Sequence, residues 1–257
     1  MVKVGVLSGV LSDRQDAYGH LVYDYLTKGV GREVVERDDG LIDPSEILPA
    51  YYFAPYRSWS DRERRAMRFV RGKVLDVGCG AGRVALHLQK RGFNVLGIDL
   101  SPLAVRVCKL RGLKNVRVLP ATQINQLRSR FDTILMFGNN FGLFGSYKRG
   151  RAMLKDFFEA TSENARIIAE STDPYKTKDP AHLAYQRKNR RRDRMSGQVR
   201  IRVRYRTYVT PWFDYLLVSE EEMQDLIAGT GWRVQSFIRS KGAHYIAIIT
   251  KAATSAT

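Results

Sequence analysis

Short apolar runs alternate with amphipathic stretches through the middle of the chain, and this pattern predicts strands alternating with helices. The predicted strands cover 73–77, 94–99, 115–119, 131–137 and 165–170, and the predicted helices cover 82–91, 102–111 and 147–162. Parallel strands need helical crossovers, so the alternation predicts a mostly parallel sheet in an α/β fold.

The two ends of the chain do not follow this alternation. Residues 1–70 predict a helix over 14–26, followed by a polar break around 37–44. Beyond 171 the pattern predicts a helical piece at 180–192 and two strands at 199–208 and 213–218. A Ser-Glu-Glu-Glu capping box starting at Ser219 opens another helix, and strands 232–238 and 244–250 follow it.

A glycine-rich turn follows the first strand of the alternating region. The run from Val74 to Arg83 reads VLDVGCGAGR, with Asp76 inside the apolar strand. Glycines let the backbone turn sharply and approach a ligand with the amides of the turn facing it. A dinucleotide fingerprint requires a small residue where Arg83 stands, and no P-loop pattern for nucleoside triphosphates occurs. The turn therefore predicts a cofactor site but disfavours NAD.

A second acid stands at the end of the next strand. Asp99 closes the apolar run 95–99, and it lies 21 residues after Gly78. An acid at this place accepts hydrogen bonds from both hydroxyls of a ribose. Together the two features resemble the cofactor motifs of class I S-adenosylmethionine-dependent methyltransferases. The alternative is that the strand, turn and helix have a purely structural role and bind no ligand. A structural turn alone, however, does not require an acid at Asp99.

The resemblance implies a fold and a cofactor. The fold is a Rossmann-like, seven-stranded, mostly parallel sheet in the order 3-2-1-4-5-7-6, with helices on both faces. It carries an N-terminal helical extension and a hairpin and helix insertion after strand 5. The cofactor is S-adenosylmethionine, whose methionine amino group would face Asp76 and whose adenine would contact Gln123. The residues implied to bind it are Asp76, Gly78, Cys79, Gly80, Asp99, Leu100, Thr122, Gln123, Gly138 and Asn139.

On this basis we divide the chain into four segments. They are an extension capping the cofactor site (1–70), the cofactor-binding core (71–171), an inserted lid for substrate recognition (172–218), and a C-terminal helix with an antiparallel strand pair that completes the sheet (219–257). An aromatic stretch, 51–59, lies at the end of the extension. Its rings either close over the cofactor sulfonium or pack onto the core.

Composition narrows the class of protein. The chain has 257 residues, of which 44% are hydrophobic, so it can bury a sizeable core. Its two cysteines form neither a disulfide framework nor a zinc pattern, and no apolar run is long enough to span a bilayer. We expect a soluble, cytoplasmic protein with no metal and no membrane partner. The oligomeric state is left open.

The formal net charge of +17 is concentrated late in the chain. One window, 187–206, holds ten Lys or Arg and one Asp. Alternate positions of a strand face one way at a spacing of about 6.6 Å, so four arginines form one stripe. We call them the arginine stripe: Arg200, Arg202, Arg204 and Arg206. The stripe permits RNA binding, and a solvated face on an edge strand is the alternative.

The leading hypothesis is a methyltransferase that acts on a small or anionic acceptor. Candidate general bases are His182 and Asp214, both in the inserted segment. Candidate walls of the substrate pocket are Asn140, Tyr185, Trp212 and Tyr215. In methyltransferases that act on amino groups of DNA or RNA, Asn or Asp at this place is followed by Pro-Pro and an aromatic residue. Gly138-Asn139-Asn140 is not followed by these residues, which disfavours methylation of a nucleic-acid amino group. The alternatives are an RNA methyltransferase using the arginine stripe and a module that binds S-adenosylmethionine without transferring methyl.

Overall fold

A computed structural model describes residues 9–43 and 48–252 of the protein. The α-helices are α1 (Ala17–Lys28), α2 (Asp61–Ala66), α3 (Arg83–Lys90), α4 (Pro102–Leu110), α5 (Tyr147–Glu159), α6 (Pro180–Arg190) and α7 (Glu220–Ile227). The strands are β1 (Val34–Arg37), β2 (Ile42–Asp43), β3 (Val74–Val77), β4 (Val95–Asp99), β5 (Val116–Val118), β6 (Phe131–Met136), β7 (Thr161–Thr172), β8 (Gln198–Tyr205), β9 (Tyr208–Val209), β10 (Phe213–Leu216), β11 (Trp232–Arg239) and β12 (His244–Lys251).

Seven strands form one sheet in the order β11-β12-β7-β6-β3-β4-β5. Strands β4 and β5 are parallel, as are β6 and β7, whereas β12 runs antiparallel to both β7 and β11. Counted from β3 as strand 1, this is the predicted order 3-2-1-4-5-7-6. The predicted fold class is therefore confirmed.

The central strands of this sheet are buried because their sequences are nearly continuous apolar runs. All four residues of β3 are buried, as are five of the six residues of β6. Sequences of this kind suit strands that are covered on both faces. The predicted helix starts also hold: the Ser101 side chain accepts from the Ala104 amide, and Ser219 and Glu222 form a capping box.

A second sheet differs from the predicted two-stranded hairpin. Its order is β10-β8-β1-β2, with β9 paired to β8. Strand β1 of the N-terminal segment runs antiparallel to β8, with Glu36 directly opposite Arg202. The predicted strand 199–208 ends at Tyr205, because Arg206 adopts a φ of 53° in a turn. Arg206 therefore lies outside the strand, a correction to its predicted place on the arginine stripe.

The chain forms two compact units. Unit 1 comprises Met1–Trp59, Leu75–Gln123 and Val199–Tyr215, and unit 2 comprises Ser60–Val74, Ile124–Gln198 and Leu216–Thr257. The division into four segments is based on sequence pattern and stays a prediction. Within the described residues, no helix combines the length and apolar composition that a membrane crossing requires.

Candidate functional site

The glycine turn of unit 1 joins β3 to α3. Gly78, Gly80 and Gly82 have φ values of 68°, 54° and 79°. These values lie in the left-handed region, where a residue with a side chain is strained. The sequence therefore needs glycine at each of the three positions, and the turn leaves their backbone uncovered by side chains of its own.

The amides of the turn are used inside the protein. Gly78 and Cys79 both donate to the Ile98 carbonyl, at 2.9 and 3.0 Å. Gly80 donates to Asp99 Oδ2 at 2.9 Å. These bonds hold the turn against the end of β4. The structure differs here from the expectation that the amides face the ligand, because three of them donate within the protein.

Asp76 is a buried carboxylate with an unused oxygen. Its side chain is 3% exposed, and the Ala85 amide donates to it. Within residues 9–43 and 48–252, its Oδ2 atom has no hydrogen-bond partner. Burial raises the pKa of Asp76 to about 7, against the opposing effect of the Arg83 charge. A buried carboxylate of this kind is completed by a cationic donor, such as an ammonium group.

Asp99 stands at the end of β4 as predicted. Its Oδ1 accepts from the Ser101 amide at 2.9 Å, and its Oδ2 accepts from the Gly80 amide. Burial raises the pKa of Asp99 to about 6, although these backbone hydrogen bonds lower it. Each carboxylate oxygen has more than one acceptor site, so Asp99 can also accept from a pair of hydroxyls. The neighbouring Leu100 carbonyl accepts from the Leu11 amide.

The segment after β5 contributes a second unused polar atom. Thr122 and Gln123 lie in a 3-10 turn, Ala121–Gln126, and the Gln123 amide donates to the Pro120 carbonyl at 2.9 Å. The buried Thr122 hydroxyl has no hydrogen-bond partner in the described part of the chain. Two unpaired buried polar atoms thus stand at positions implied to bind the cofactor, and the residues of unit 1 fit S-adenosylmethionine.

The two cysteines are buried free thiols. Cys108 of α4 donates to the Gly80 carbonyl at 3.1 Å. Its hydrogen bond with Cys79, together with burial, raises the pKa of the Cys79 thiol well above the ordinary value. Cys79 is therefore a protonated side chain packed behind the turn, rather than a nucleophile.

The aromatic stretch before α2 packs against Arg83 and His87 of α3. The Arg83 guanidinium lies 4.3 Å from the Tyr51 ring centre and 4.6 Å from that of Trp59, and it donates to the Tyr51 hydroxyl. Tyr56 stacks on His87 at 4.3 Å. Of the two readings of this stretch, packing onto the core accounts for these rings.

Two residues of the N-terminal segment were missed by the sequence analysis. Asp16 is 1% exposed and accepts from the Gly19 amide at 2.9 Å and the Leu103 amide at 3.0 Å. It therefore caps α1 and α4 together. Tyr18 lies over the glycine turn, where its hydroxyl approaches Gly80. Asp16, directly before α1, is a local cap signal in the sequence, but the long-range contacts of Asp16 and Tyr18 leave no trace in the local pattern.

The loop after β6 belongs to unit 2. The Gly138 amide donates to Glu170 Oε2 at 2.7 Å, and the other oxygen of that buried carboxylate pairs with Arg62 at 2.6 Å. Asn139 adopts a φ of 62° and accepts from the Thr172 hydroxyl at 2.8 Å. Asn140 begins a 3-10 turn, Asn140–Phe144. The cofactor role of Gly138 and Asn139 and the substrate role of Asn140 stay predictions.

The candidate bases and the other pocket residues lie in both units. His182 and the buried Tyr185 are on α6 of unit 2, and His182 Nδ1 lies 3.3 Å from Thr177 Oγ1. Asp214, Trp212 and Tyr215 are in unit 1, where Asp214 is 8% exposed and the Trp212 ring lies against a guanidinium. These assignments also stay predictions.

Every arginine of the arginine stripe has an acidic partner. Arg202 forms a bidentate pair with Glu36 at 2.8 and 2.9 Å, and its hydrogen bonds hold the pKa of Glu36 below its usual value. The other pairs are Arg204–Glu36 at 3.3 Å, Arg200–Asp214 at 4.0 Å and Arg206–Asp24 at 3.4 Å. The stripe is held within the second sheet and its neighbour α1, so its charges no longer indicate a phosphate-binding face.

Comparisons with known proteins agree with this site. The family described as methyltransferase domain matches residues 74–164, which include the glycine turn and Asp99. A solved methyltransferase from Bacteroides fragilis, in complex with S-adenosyl-L-homocysteine, superposes with a TM-score of 0.82 and 27% identity. The superposition covers 95% of this chain and 98% of that one.

Curated relatives are matched over shorter stretches. A 2-heptyl-1-hydroxyquinolin-4(1H)-one methyltransferase of Mycobacteroides abscessus is 39% identical over 72 residues, or 26% of this chain and 32% of the relative. A ubiquinone biosynthesis O-methyltransferase of Acinetobacter baumannii is 47% identical over 64 residues, or 24% of this chain and 26% of the relative. The chain spans about half the length of the curated relatives it matches, or less.

Proposed function

The chain belongs to the class I S-adenosylmethionine-dependent methyltransferases, and we propose that it transfers the methyl group of that cofactor to a small-molecule acceptor. The observation that carries the proposal is the pair of carboxylates around the glycine turn, of which Asp76 is buried and Asp99 half-buried. Asp76 keeps one oxygen unpaired, and Asp99 is held by two backbone amides at the end of β4. When bound, S-adenosylmethionine supplies a methyl group on a positively charged sulfur, already activated for transfer.

The residues of unit 1 divide the recognition of the cofactor among them. Asp76 holds the methionine ammonium group, and Asp99 accepts hydrogen bonds from the ribose hydroxyls. Thr122 and Gln123 bind the adenine. This division is supported by the unpaired atoms of Asp76 and Thr122. The contribution of the protein to the rate is then alignment of the reactants, which supplies about 7 to 11 kcal/mol in well-oriented systems.

A base is needed where the acceptor nucleophile carries a proton. Our candidates are His182 and Asp214. Asp214 lies 4.0 Å from Arg200 and is engaged in that ion pair. His182 is the stronger candidate, because histidine is the side chain that enzymes use most often for general acid–base catalysis.

An exposed face of α6 supports an anionic acceptor. Five residues at helical spacing line a cavity of about 360 Å³. They are Ala184, Arg187, Lys188, Arg191 and Arg192. Unlike the arginine stripe, the four cations have no acidic partner within ion-pair distance in the part of the chain that the structure describes. Unneutralised cations repel one another, and a phosphate or carboxylate group relieves that cost.

Two further points complete the proposal. The printed names of the quinolone and ubiquinone relatives refer to small acceptors, which favours a small acceptor here. We also propose a cytoplasmic location, because both cysteines of the chain are buried free thiols, as a reducing compartment permits.

Calorimetric titration with S-adenosylmethionine tests the cofactor site. We expect binding by the wild-type protein and a loss of at least tenfold in affinity for both Asp76→Asn and Asp99→Ala. Asp225→Asn, on the exposed surface of α7, is the matched control and should bind as the wild type does. Equal affinities for all four proteins would contradict the site.

A labelling experiment tests the acceptor. The protein is incubated with a metabolite extract and S-adenosylmethionine that carries a deuterated methyl group, and labelled products are identified by mass spectrometry. We expect labelled products that bind an anion exchanger, and their loss when the four α6 cations are changed to Ser. Label in RNA instead would favour the RNA alternative. Cofactor binding without label in any fraction would favour a binding module.

A further inference from the structure

The Tyr18 hydroxyl occupies the space above the glycine turn. Tyr18 lies in the first turn of α1, and a Cβ atom added to Gly80 would lie 2.4 Å from its Oη atom. Gly80 therefore has two reasons to lack a side chain: its φ of 54° and the presence of Tyr18. The same glycine donates its amide to Asp99, so the hydroxyl and the carboxylate meet at one residue.

The Tyr18 hydroxyl is a hydrogen-bond donor that is free to bind a ligand. Within residues 9–43 and 48–252, the Tyr18 hydroxyl has no hydrogen-bond partner, although the side chain is largely covered. Burial raises the pKa of Tyr18 well above the ordinary value, and the charge of Asp99 raises it further. The phenol therefore stays protonated beside the carboxylate. The hydroxyl is therefore available to donate to a ligand oxygen.

The position of Tyr18 is fixed by its neighbours. The Tyr52 ring meets the Tyr18 ring edge to face at 5.0 Å, and the Tyr52 hydroxyl donates to Glu33 Oε2 at 2.7 Å. Glu33 is 6% exposed. The Tyr18 ring also packs against an apolar cluster that includes Val22, Ala81, Ala104 and Val107. A side chain held on several sides presents its hydroxyl in one place, as a binding group requires.

The chemistry of a ribose identifies what Tyr18 recognises. Asp99 is acceptor-only when ionised, so it takes the protons of the sugar hydroxyls and leaves their oxygen lone pairs unpaired. The amides of Gly78, Cys79 and Gly80 already donate inside the protein. The Tyr18 hydroxyl, which lies beside Gly80, is the side-chain donor at this place.

We propose that Tyr18 donates a hydrogen bond to a ribose hydroxyl oxygen of bound S-adenosylmethionine. Asp99 then accepts hydrogen bonds from the ribose hydroxyls, while Tyr18 donates to one of their oxygens. The inference rests on the proposed function, because it assumes this cofactor in the site. It assigns the N-terminal segment a direct contact with the ligand that neither the glycine turn nor Asp99 supplies. Asp76 is assigned to the ammonium group of the cofactor rather than to its sugar, so it plays no part in this contact.

Calorimetric titration of Tyr18→Phe tests the contact, because phenylalanine keeps the ring and removes only the hydroxyl. We expect the Kd to rise about tenfold, equivalent to about 1.4 kcal/mol, and by the same factor for S-adenosylmethionine and S-adenosylhomocysteine, which share the ribose. Tyr23→Phe is the matched control. Tyr23 lies on the same helix and packs on the same cluster, with Arg106 against its ring, and its removal should change the Kd less than twofold.

A double-mutant cycle separates a shared contact from a structural effect. In an Asp99→Asn background the Tyr18→Phe penalty should shrink to less than threefold, because both groups act on the same sugar. In an Asp76→Asn background it should remain near tenfold. The unfolding midpoint of ligand-free Tyr18→Phe should match that of the wild type. A penalty coupled to Asp76 rather than Asp99 would overturn the assignment.

Sugar-modified ligands test the same contact without a variant. The wild-type protein should bind either 2′-deoxy- or 3′-deoxy-S-adenosylhomocysteine at least tenfold more weakly than the parent compound. For Tyr18→Phe, the ratio of the Kd values for that analogue and the parent compound should be smaller than for the wild type. The ratio that remains reflects the hydrogen bond to Asp99. An unchanged Kd for Tyr18→Phe, with normal wild-type binding, would refute the inference alone. No binding of either ligand by the wild type would refute the proposed function and the inference together.

Discussion

At the scale of single residues, Asp76 carries an energetic cost that a bound cation would remove. Its pKa of about 7 lies above the ordinary 3.8 because the carboxylate is buried with one oxygen unpaired. The folded protein therefore holds this proton more tightly than the unfolded chain does. Between about pH 4 and pH 7 the folded state binds more protons, so this group makes the free energy of unfolding fall as the pH rises.

Asp76→Asn should stabilise the ligand-free protein above pH 7. Asparagine keeps the shape and removes the buried charge, so we expect the free energy of unfolding at pH 8 to rise by about 2 to 4 kcal/mol. At pH 4, where the aspartate is protonated in the folded state, the two proteins should differ by less than about 1 kcal/mol. Urea unfolding at both pH values measures the effect. An equal difference at pH 4 and pH 8 would show that the charge is not its cause.

The same carboxylate should make cofactor affinity depend on pH. An ammonium group pairs with ionised Asp76, so the Kd for S-adenosylmethionine should rise as the pH falls below about 7, the pKa of Asp76. Asp99, with a pKa of about 6, adds a second increase at lower pH. Calorimetry between pH 5.5 and 8.5 measures this profile, with Asp76→Asn as the control that retains only the second increase. A flat wild-type profile would argue against both assignments.

At the scale of elements, Asp16 ties two helices together. Its carboxylate accepts from the Gly19 amide of α1 and the Leu103 amide of α4, and both bonds are buried or nearly so. A single capping residue contributes about 0.5 to 2 kcal/mol. We expect Asp16→Ala to lower the free energy of unfolding by about 1 to 4 kcal/mol, the sum of two caps and about twice the cost of one, as measured by urea unfolding. Ser219→Ala removes one cap and should cost about 1 kcal/mol; equal costs would contradict the double cap.

The glycine turn should tolerate a side chain at Gly80 only poorly. Alanine there adopts a strained φ of 54° and meets the Tyr18 hydroxyl at 2.4 Å. We expect Gly80→Ala to cost about 2 to 4 kcal/mol of unfolding free energy and to abolish cofactor binding. In a Tyr18→Phe background the nearest ring atom would lie 3.3 Å away, so the cost should fall but not vanish. If Tyr18→Phe does not reduce the stability cost, the contact between Gly80 and Tyr18 is not responsible for it.

At the scale of the whole molecule, the central strands of the seven-stranded sheet follow from the sequence because they are local apolar runs. Strands β3, β4 and β6 are recognised by composition alone, and the intervening helices specify parallel crossovers. The resemblance then supplied the strand order, and Asp76 and Asp99 gave the two anchors of the site. The sheet and the family membership are both confirmed.

The second sheet was not predicted because it depends on contacts between distant parts of the chain. Strand β1 is four residues long and half polar, so its sequence does not identify it as a strand. Its partner β8 stands about 160 residues later in the chain. Without β1, the arginine stripe looks like an exposed cationic face. The partner Glu36 enters only through the strand pairing.

The internal use of the turn amides was missed for a similar reason. The sequence shows where the glycines are, but the acceptor of Gly78 and Cys79 is a carbonyl of β4, Ile98, and its place depends on the register of the sheet. Tyr18 is invisible in the same way, because α1 reaches the turn only through tertiary packing. The sequence therefore located the two acids near the turn, whereas the place of Tyr18 beside Gly80 depends on tertiary contacts.

A crystal structure with S-adenosylhomocysteine tests the central claim most directly. We expect the ligand at the glycine turn, with its amino group on Asp76 and its ribose hydroxyls on Asp99. Ligand density elsewhere, or a ligand at the turn that contacts neither carboxylate, would contradict the account.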